Sequence, residues 1–303
     1  MTPTRFSTRL LTALVLLAAW SRPAAPQSGL KVYISADMEG VAGAVTGDQL
    51  GPGGFEYGAF REYMTREVLA AIEAAREMGA TEIVVSDSHG NGENLLLDLL
   101  PEDVLLVRSW PRPLMMMEGI DESFDAALLV GYHASTGNPS GVRAHTMSSA
   151  NLAGLKVNGV ETPEAGVSAL IAGHFGVPVV MISGDDAIAA EATGLLGDIE
   201  TAVVKWSYGF HSARTLMPGP AREEIARRTR AALGRLGDFR PYRVEGPLTL
   251  DLTFKNYTPA ELLAYLPNVD RVDSHTVRFV ARDAVELSKF IEFAMSYGAG
   301  ITP

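Results

Sequence analysis

The sequence predicts an α/β protein: a three-layer α/β/α domain on a largely parallel sheet, followed by a smaller C-terminal α+β segment. Three observations predict it. Between residues 31 and about 218, apolar runs of strand length alternate with stretches of helical period. Most of those runs are apolar almost throughout, as in strands covered on both faces. Beyond about residue 218 the order changes to a charged helix, an alternating strand, a short helix, a second alternating stretch and a last helix.

Taken in order, "KVYISAD" (31–37) reads as a buried strand. "FEYGAFREYMTREVLAAIEAAREMGA" (55–80) has the helical period, with Tyr63, Val68, Ala71, Ile72 and Ala75 on one stripe and Gly79 as its stop. "TEIVVSD" (81–87), "VLLVRS" (104–109) and "AALLVGY" (126–132) are further buried strands. "VRAHTMSSA" (142–150) is expected to be extended, and "LKVNGVET" (155–162) contains an Asn-Gly turn. A helix is expected from Thr162, with Pro163 at its first position and Glu164 in the first turn, running to Gly173 or Gly176. "VPVVMISGDD" (177–186), an Ala-rich helix and "TAVVKW" (201–206) complete the first unit. In the second, "PGPAREEIARRTRAALGRL" is an amphipathic helix, followed by "YRVEGPLTLDLTF", a helix near 258–266, "RVDSHTVRFVA" and a helix over 283–297. The expected units are thus 29–218 and 219–303, with "RPYRVEGP" as the joint.

The first 28 residues stand apart. Arg5 and Arg9 precede the apolar run Leu10–Trp20 and then a stretch rich in Pro, Ala and Ser. A basic start, a short apolar core and small residues after it form a signal peptide, which places the mature protein in the periplasm or outside the cell. The run is too short for an ordinary membrane span. The whole chain carries a formal charge of −11, and a leader over residues 1–28 holds three arginines and no acid. The mature body is therefore more acidic still, which argues against nucleic acid or an anionic membrane as a partner. The chain contains no cysteine, which excludes thiolate metal sites and a cysteine nucleophile.

Ligands of α/β sheets gather at the carboxyl ends of the strands. Those ends carry Asp37 and Glu39, Asp87 and His89, His133, and the pair Asp185 and Asp186; His145 and the helix-initial Glu164 follow extended or turn segments. Each alone has an ordinary structural explanation as a cap, a loop hydrogen-bonder or a core histidine. Together they bring carboxylates and imidazoles from independent strand ends with no adjacent lysine or arginine to balance them. A divalent cation supplies that balance. Mixed Asp/Glu/His donors suit zinc, with manganese or iron open, and five ligands including a shared carboxylate exceed one tetrahedral shell. Asp185 and Asp186 are expected first as a helix cap, with a role in holding a substrate α-ammonium as the alternative. His174, His211 and His275 are read as structural.

The motifs "SADMEG" (35–40), "DSHG" (87–90), "MMEGID" (116–121), "GYHA" (131–134), "HTM" (145–147), "VNG…PEAG" (157–166) and "SGDD" (183–186) resemble those of the D-aminopeptidase, or dipeptide-transport-protein, family of binuclear zinc metallopeptidases. The resemblance runs in order along nearly all of the chain after the leader. It implies two zinc ions per subunit, with Asp37 bridging them and Glu39, His89, His133 and Glu164 as the other ligands. It implies His145 as a non-ligand catalytic residue, acting beside a water that bridges the metals. It further implies release of N-terminal D-amino acids such as D-Ala from short peptides, and a homodecameric ring. The leader departs from the family's expected cytoplasmic form. Two alternatives from other classes are a two-metal phosphoesterase and a non-catalytic exported peptide-binding protein.

Overall fold

The computed structural model describes Met1 and residues 29–298. The leader read in residues 1–28 lies outside the described residues apart from Met1.

The first strand, β1 (Leu30–Ala36), is buried over its last five residues and pairs in parallel with β2 (Ala80–Asp87) on one side and β4 (Ala126–Tyr132) on the other. Short β3 (Leu105–Val107) extends the sheet beyond β2, and β7 (Val179–Asp185) and β8 (Glu200–Gly209) extend it beyond β4, all parallel. An antiparallel edge strand, β9 (Ser212–Thr215), closes the order β3-β2-β1-β4-β7-β8-β9. β1, β4 and β7 occupy the centre. Their near-continuous apolar sequences reflect burial on both faces.

A four-residue helix, α1 (Gly47–Leu50), is capped by Thr46 and leads into α2 (Tyr57–Glu77). α2 lies on β1, β2 and β4 beside α5 (Pro218–Leu233), which also covers β7 and β8. α3 (Glu164–His174) and α4 (Asp186–Leu196) pack on each other and on the central strands, completing the α/β/α layers. α3 is buried from Glu164 to Gly173, which matches its apolar and small residues on every side.

The second sheet is antiparallel, in the order β11-β12-β10-β5-β6. It comprises β5 (Leu152–Val157), β6 (Val160–Glu161), β10 (Leu248–Phe254), β11 (Val269–Arg271) and β12 (Thr276–Ala281). The "LTLDLTF" of β10 alternates buried and half-buried residues, as one covered face requires. α6 (Tyr257–Leu263) and α7 (Ala284–Ser296) pack on this sheet, and α7 also reaches α3 and the turn Met115–Met117.

Three expectations need correction. Residues 142–150 form no strand. Arg143 and Met147 have φ of 56° and 63°, and the segment is held by His145 N–H to the Ala134 carbonyl (3.0 Å) and Arg143 N–H to the Phe210 carbonyl (2.9 Å). The helix expected from Thr162 begins at Glu164 with Pro163 as its cap residue, because Pro163 has extended rather than helical ψ. The division at 218 does not follow the sheets: α5 covers the parallel sheet, while the earlier hairpin β5–β6 belongs to the antiparallel one. That hairpin turns at Asn158 and Gly159, both with positive φ, as its Asn-Gly sequence predicts.

Candidate metal centre

Asp37 and Glu39 follow β1, His89 follows β2 and His133 follows β4, so three adjacent parallel strands deliver four side chains to one end of the sheet. Close backbone approach makes this possible. Gly40 N–H donates to the Gly131 carbonyl at 2.7 Å, and a Cβ on Gly40 would strike the Tyr132 carbonyl. Gly131 has φ of 77°, and a Cβ there would strike the Asp37 carbonyl. Glycine at both positions lets the chain beyond β1 run close against the end of β4 without displacing the acids. His145 comes from the 142–150 loop and Glu164 from the first turn of α3.

All six residues meet in one buried cluster. Asp37 Oδ1 lies 3.2 Å from His89 Nδ1, and Glu39 Oε2 lies 2.8 Å from the same nitrogen. Asp37 Oδ2 faces the other way, 3.4 Å from His133 Nε2, which is also 3.4 Å from Glu164 Oε2. His145 Nε2 is 3.6 Å from Glu164 Oε1, and the His133 and His145 rings stack at 4.1 Å. The two oxygens of one carboxylate thus serve two separate groups of donors.

The outer hydrogen bonds orient these rings. His89 Nε2 donates to the Leu50 carbonyl (2.6 Å), His133 Nδ1 to the Ala134 carbonyl (3.1 Å) and His145 Nδ1 to the Arg143 carbonyl (2.8 Å). The remaining nitrogen of each ring faces the carboxylates, where it can bind a cation in place of a proton. Asp87 serves this arrangement from outside. It accepts from the backbone of Asn94 and Leu95 and from the Asn94 amide, tying down the loop that presents His89.

The electrostatics describe a site short of positive charge. Burial, then the Glu39 carboxylate, raise the Asp37 pKa well above the usual carboxylate range. Burial alone would lower His133, but Glu164, Asp37 and Glu39 outweigh it and raise it to about 10. His89 moves up for the same reason, chiefly through Glu39. His145 moves down, through burial and then the neighbouring His133.

Asp37 Oδ2, Glu39 Oε2 and His133 Nε2 are buried without a hydrogen-bond partner. Donor atoms of Asp37, Glu39 and His133 lie within 4.8 Å of one another, as do those of His133, His145 and Glu164. Orphaned buried donors of this chemistry are what a pair of divalent cations would satisfy.

A family model described as D-aminopeptidase matches residues 30–293. The chain belongs to the D-aminopeptidase family. It is 33% identical over 261 residues to a D-aminopeptidase of Bacillus subtilis (strain 168), covering 85% of this chain and 93% of that protein. Among solved structures it is similar to the Zn-dependent D-aminopeptidase DppA from Bacillus subtilis, described as a self-compartmentalizing protease. The TM-score is 0.84 and the identity 31%, over 89% of this chain and 99% of that one.

The other residues singled out in the sequence lie outside the cluster. Asp185 caps α4 through Ile188 N–H (2.8 Å) and accepts Val142 N–H (2.7 Å), while Asp186 accepts Ser207 N–H (3.0 Å). Asp185 thus takes the capping role expected first, whereas Asp186 ties the start of α4 to β8, and neither contact supports the ammonium-binding alternative. His174 is exposed at the end of α3, His211 is exposed beside Arg143, and His275 donates to the Phe254 carbonyl.

Two residues that sequence reasoning passed over support the site from behind. Lys205 is fully buried, and its ammonium donates to the carbonyls of Glu39, Val41 (3.2 Å) and Ala44 (2.7 Å). Buried Glu67 accepts Ala42 N–H at 3.0 Å. Both clamp the loop that carries Glu39. The one available signal was a lysine within the apolar strand "TAVVKW".

Proposed function

We propose that the protein is a zinc aminopeptidase that releases N-terminal D-amino acids, D-Ala among them, from short peptides. The observation that carries this reading is the Asp37 carboxylate, with one oxygen facing His89 and Glu39 and the other facing His133 and Glu164. Asp37 would be shared by two zinc ions, with Glu39 and His89 on one and His133 and Glu164 on the other. When bound, the pair supplies Lewis acidity, polarising the peptide carbonyl and acidifying a water.

The chain's own residues supply the rest. Glu164 Oε1 is held by Met147 N–H at 2.7 Å, which fixes the carboxylate between His133 and His145. His145 has its Nδ1 hydrogen committed to the Arg143 carbonyl, and its lowered pKa keeps Nε2 unprotonated near neutrality. Nε2 is therefore the atom that takes a proton from the attacking water and returns it to the departing amine. A cavity of about 310 Å³ opens onto Asp37 and Glu164 and is walled by Trp110, Met115, Met116 and Met147. It matches a small peptide, and its methionines offer an adaptable apolar wall. Among the described residues no lysine or arginine lines it, which disfavours the phosphoesterase alternative.

We take the homodecamer and export as parts of the same reading, supported by the self-compartmentalizing relative and by the leader motif respectively. The test is to incubate the zinc-loaded mature protein with D-Ala and L-Ala dipeptides and follow free alanine. Release from the D-substrate that stops with a chelator and returns with zinc is expected. No release from any aminoacyl dipeptide would overturn the reading.

A further inference from the structure

An aminopeptidase must recognise a free α-ammonium, and the aspartates of "SGDD" are committed to backbone N–H groups. The cavity offers another carboxylate. Besides Asp37 and Glu164, which face the histidines, Glu292 of α7 is the one acidic residue on its wall among the described residues. Glu292 and Ser296 are four residues apart on one face of the helix, and both line the cavity. Ser296 Oγ donates to Glu292 Oε1 at 2.7 Å, and this is the side-chain partner of Glu292 among the described residues. Oε2 is left to accept from a cation. Arg112 is within electrostatic reach of Glu292, but its guanidinium donates to Ser86 Oγ (2.8 Å) and the Asp87 carbonyl (2.5 Å), and the two side chains form no direct ion pair.

We propose that Glu292 binds the α-ammonium of the substrate, holding the N-terminal residue between α7 and the metal-binding end of the parallel sheet. This rests on the aminopeptidase reading above and deepens it. A half-buried carboxylate on a cavity wall where the described residues place no lysine or arginine makes a charge-assisted hydrogen bond with an ammonium, stronger than a neutral one. The group would therefore select peptides with an unblocked N-terminus, and the second sheet's helix would act as the specificity wall of a site whose metals sit on the first.

The test compares zinc-loaded wild type with Glu292→Gln on D-Ala-p-nitroanilide and on propionyl-p-nitroanilide, which lacks only the amine. In Glu292→Gln, kcat/KM for D-Ala-p-nitroanilide should fall by about 10- to 150-fold, mostly through KM, as expected for one lost charged hydrogen bond. Its preference for the free amine should shrink by a similar factor, with zinc content and melting temperature unchanged. Glu292→Asp, which keeps the charge, should recover part of the loss. A Glu292→Gln enzyme within twofold of wild type in KM and in preference would overturn the proposal while leaving the aminopeptidase reading intact. A wild type that cleaves neither D-Ala-p-nitroanilide nor any aminoacyl dipeptide would instead remove the reading on which the proposal rests; if the anilide alone resists, the same comparison is made with D-Ala-D-Ala and propionyl-D-Ala.

Discussion

Replacing Lys205 by methionine removes a buried ammonium while nearly conserving side-chain volume. In the native fold this ammonium serves the carbonyls of Glu39, Val41 and Ala44. Val41 keeps a second partner, the N–H of Ala44 at 3.1 Å, so two carbonyls are left bare. A buried polar group stripped of its partner costs about 1–3 kcal/mol, giving a loss of about 2–6 kcal/mol for the pair. Removal of the ammonium's own burial penalty, visible in its pKa lowered to about 8, places the result towards the lower end. At about 2–4 °C per kcal/mol for a domain of this size, the melting temperature should fall by about 4–24 °C. The same loop carries Glu39, so zinc affinity at the site using Glu39 should weaken by about 10- to 100-fold, the usual effect of disturbing a ligand's outer support. Differential scanning fluorimetry with and without zinc, together with a zinc titration, reads both effects. A Lys205→Met protein that melts within about 2 °C of wild type and titrates with unchanged zinc affinities would refute the claim that this lysine fixes the Glu39 loop.

Other outcomes follow from the same geometry. His145→Gln should keep its full zinc content but lose at least about 10²-fold in kcat, and near-normal turnover would remove His145 from proton transfer. Chelation of the zinc-loaded protein should lower its melting temperature, since at 100 times Kd each site adds about 2.7 kcal/mol; an unchanged melt would argue against structural coupling of the metals. In the metal-free protein, His133 holds its proton up to about pH 10 whereas the unfolded chain releases it near 6.5. The raised pKa of Asp37 acts in the same direction, because the folded state again binds the extra proton. Their stabilising effect is present in full below pH 6.5 for His133 and is lost as pH rises, so the apo protein's melting temperature should fall between about pH 6.5 and 10. A flat apo profile across that range would contradict the charge pairing described for the cluster.

Much of the buried acid–histidine cluster is legible in the sequence because the sheet's geometry is local and repetitive. An apolar strand ending in Asp37 and Glu39, His89 or His133 carries its chemistry to a known edge, and parallel pairing of β1, β2 and β4 brings those edges together. Glu164 is legible for a similar reason, as the first turn of a helix after proline. The loop around His145 is not. Its apolar and β-branched residues resemble a strand, but tertiary hydrogen bonds to Ala134 and Phe210 impose turns with positive φ. The hairpin Leu152–Glu161 is recognisable from its Asn-Gly turn, whereas its pairing with Leu248–Phe254 depends on contacts about a hundred residues away. Lys205 and Glu292 are missed because their roles arise from what lies opposite them in space, in the Glu39 loop and the cavity.

The central claim is that one carboxylate is shared by two metals. Zinc content per chain, measured on exhaustively dialysed wild type and Asp37→Ala after loading, tests it most directly. The account predicts two zinc ions in wild type and loss of both in the variant, because each site loses an oxygen of Asp37. A variant that still holds two zinc ions per chain would contradict it.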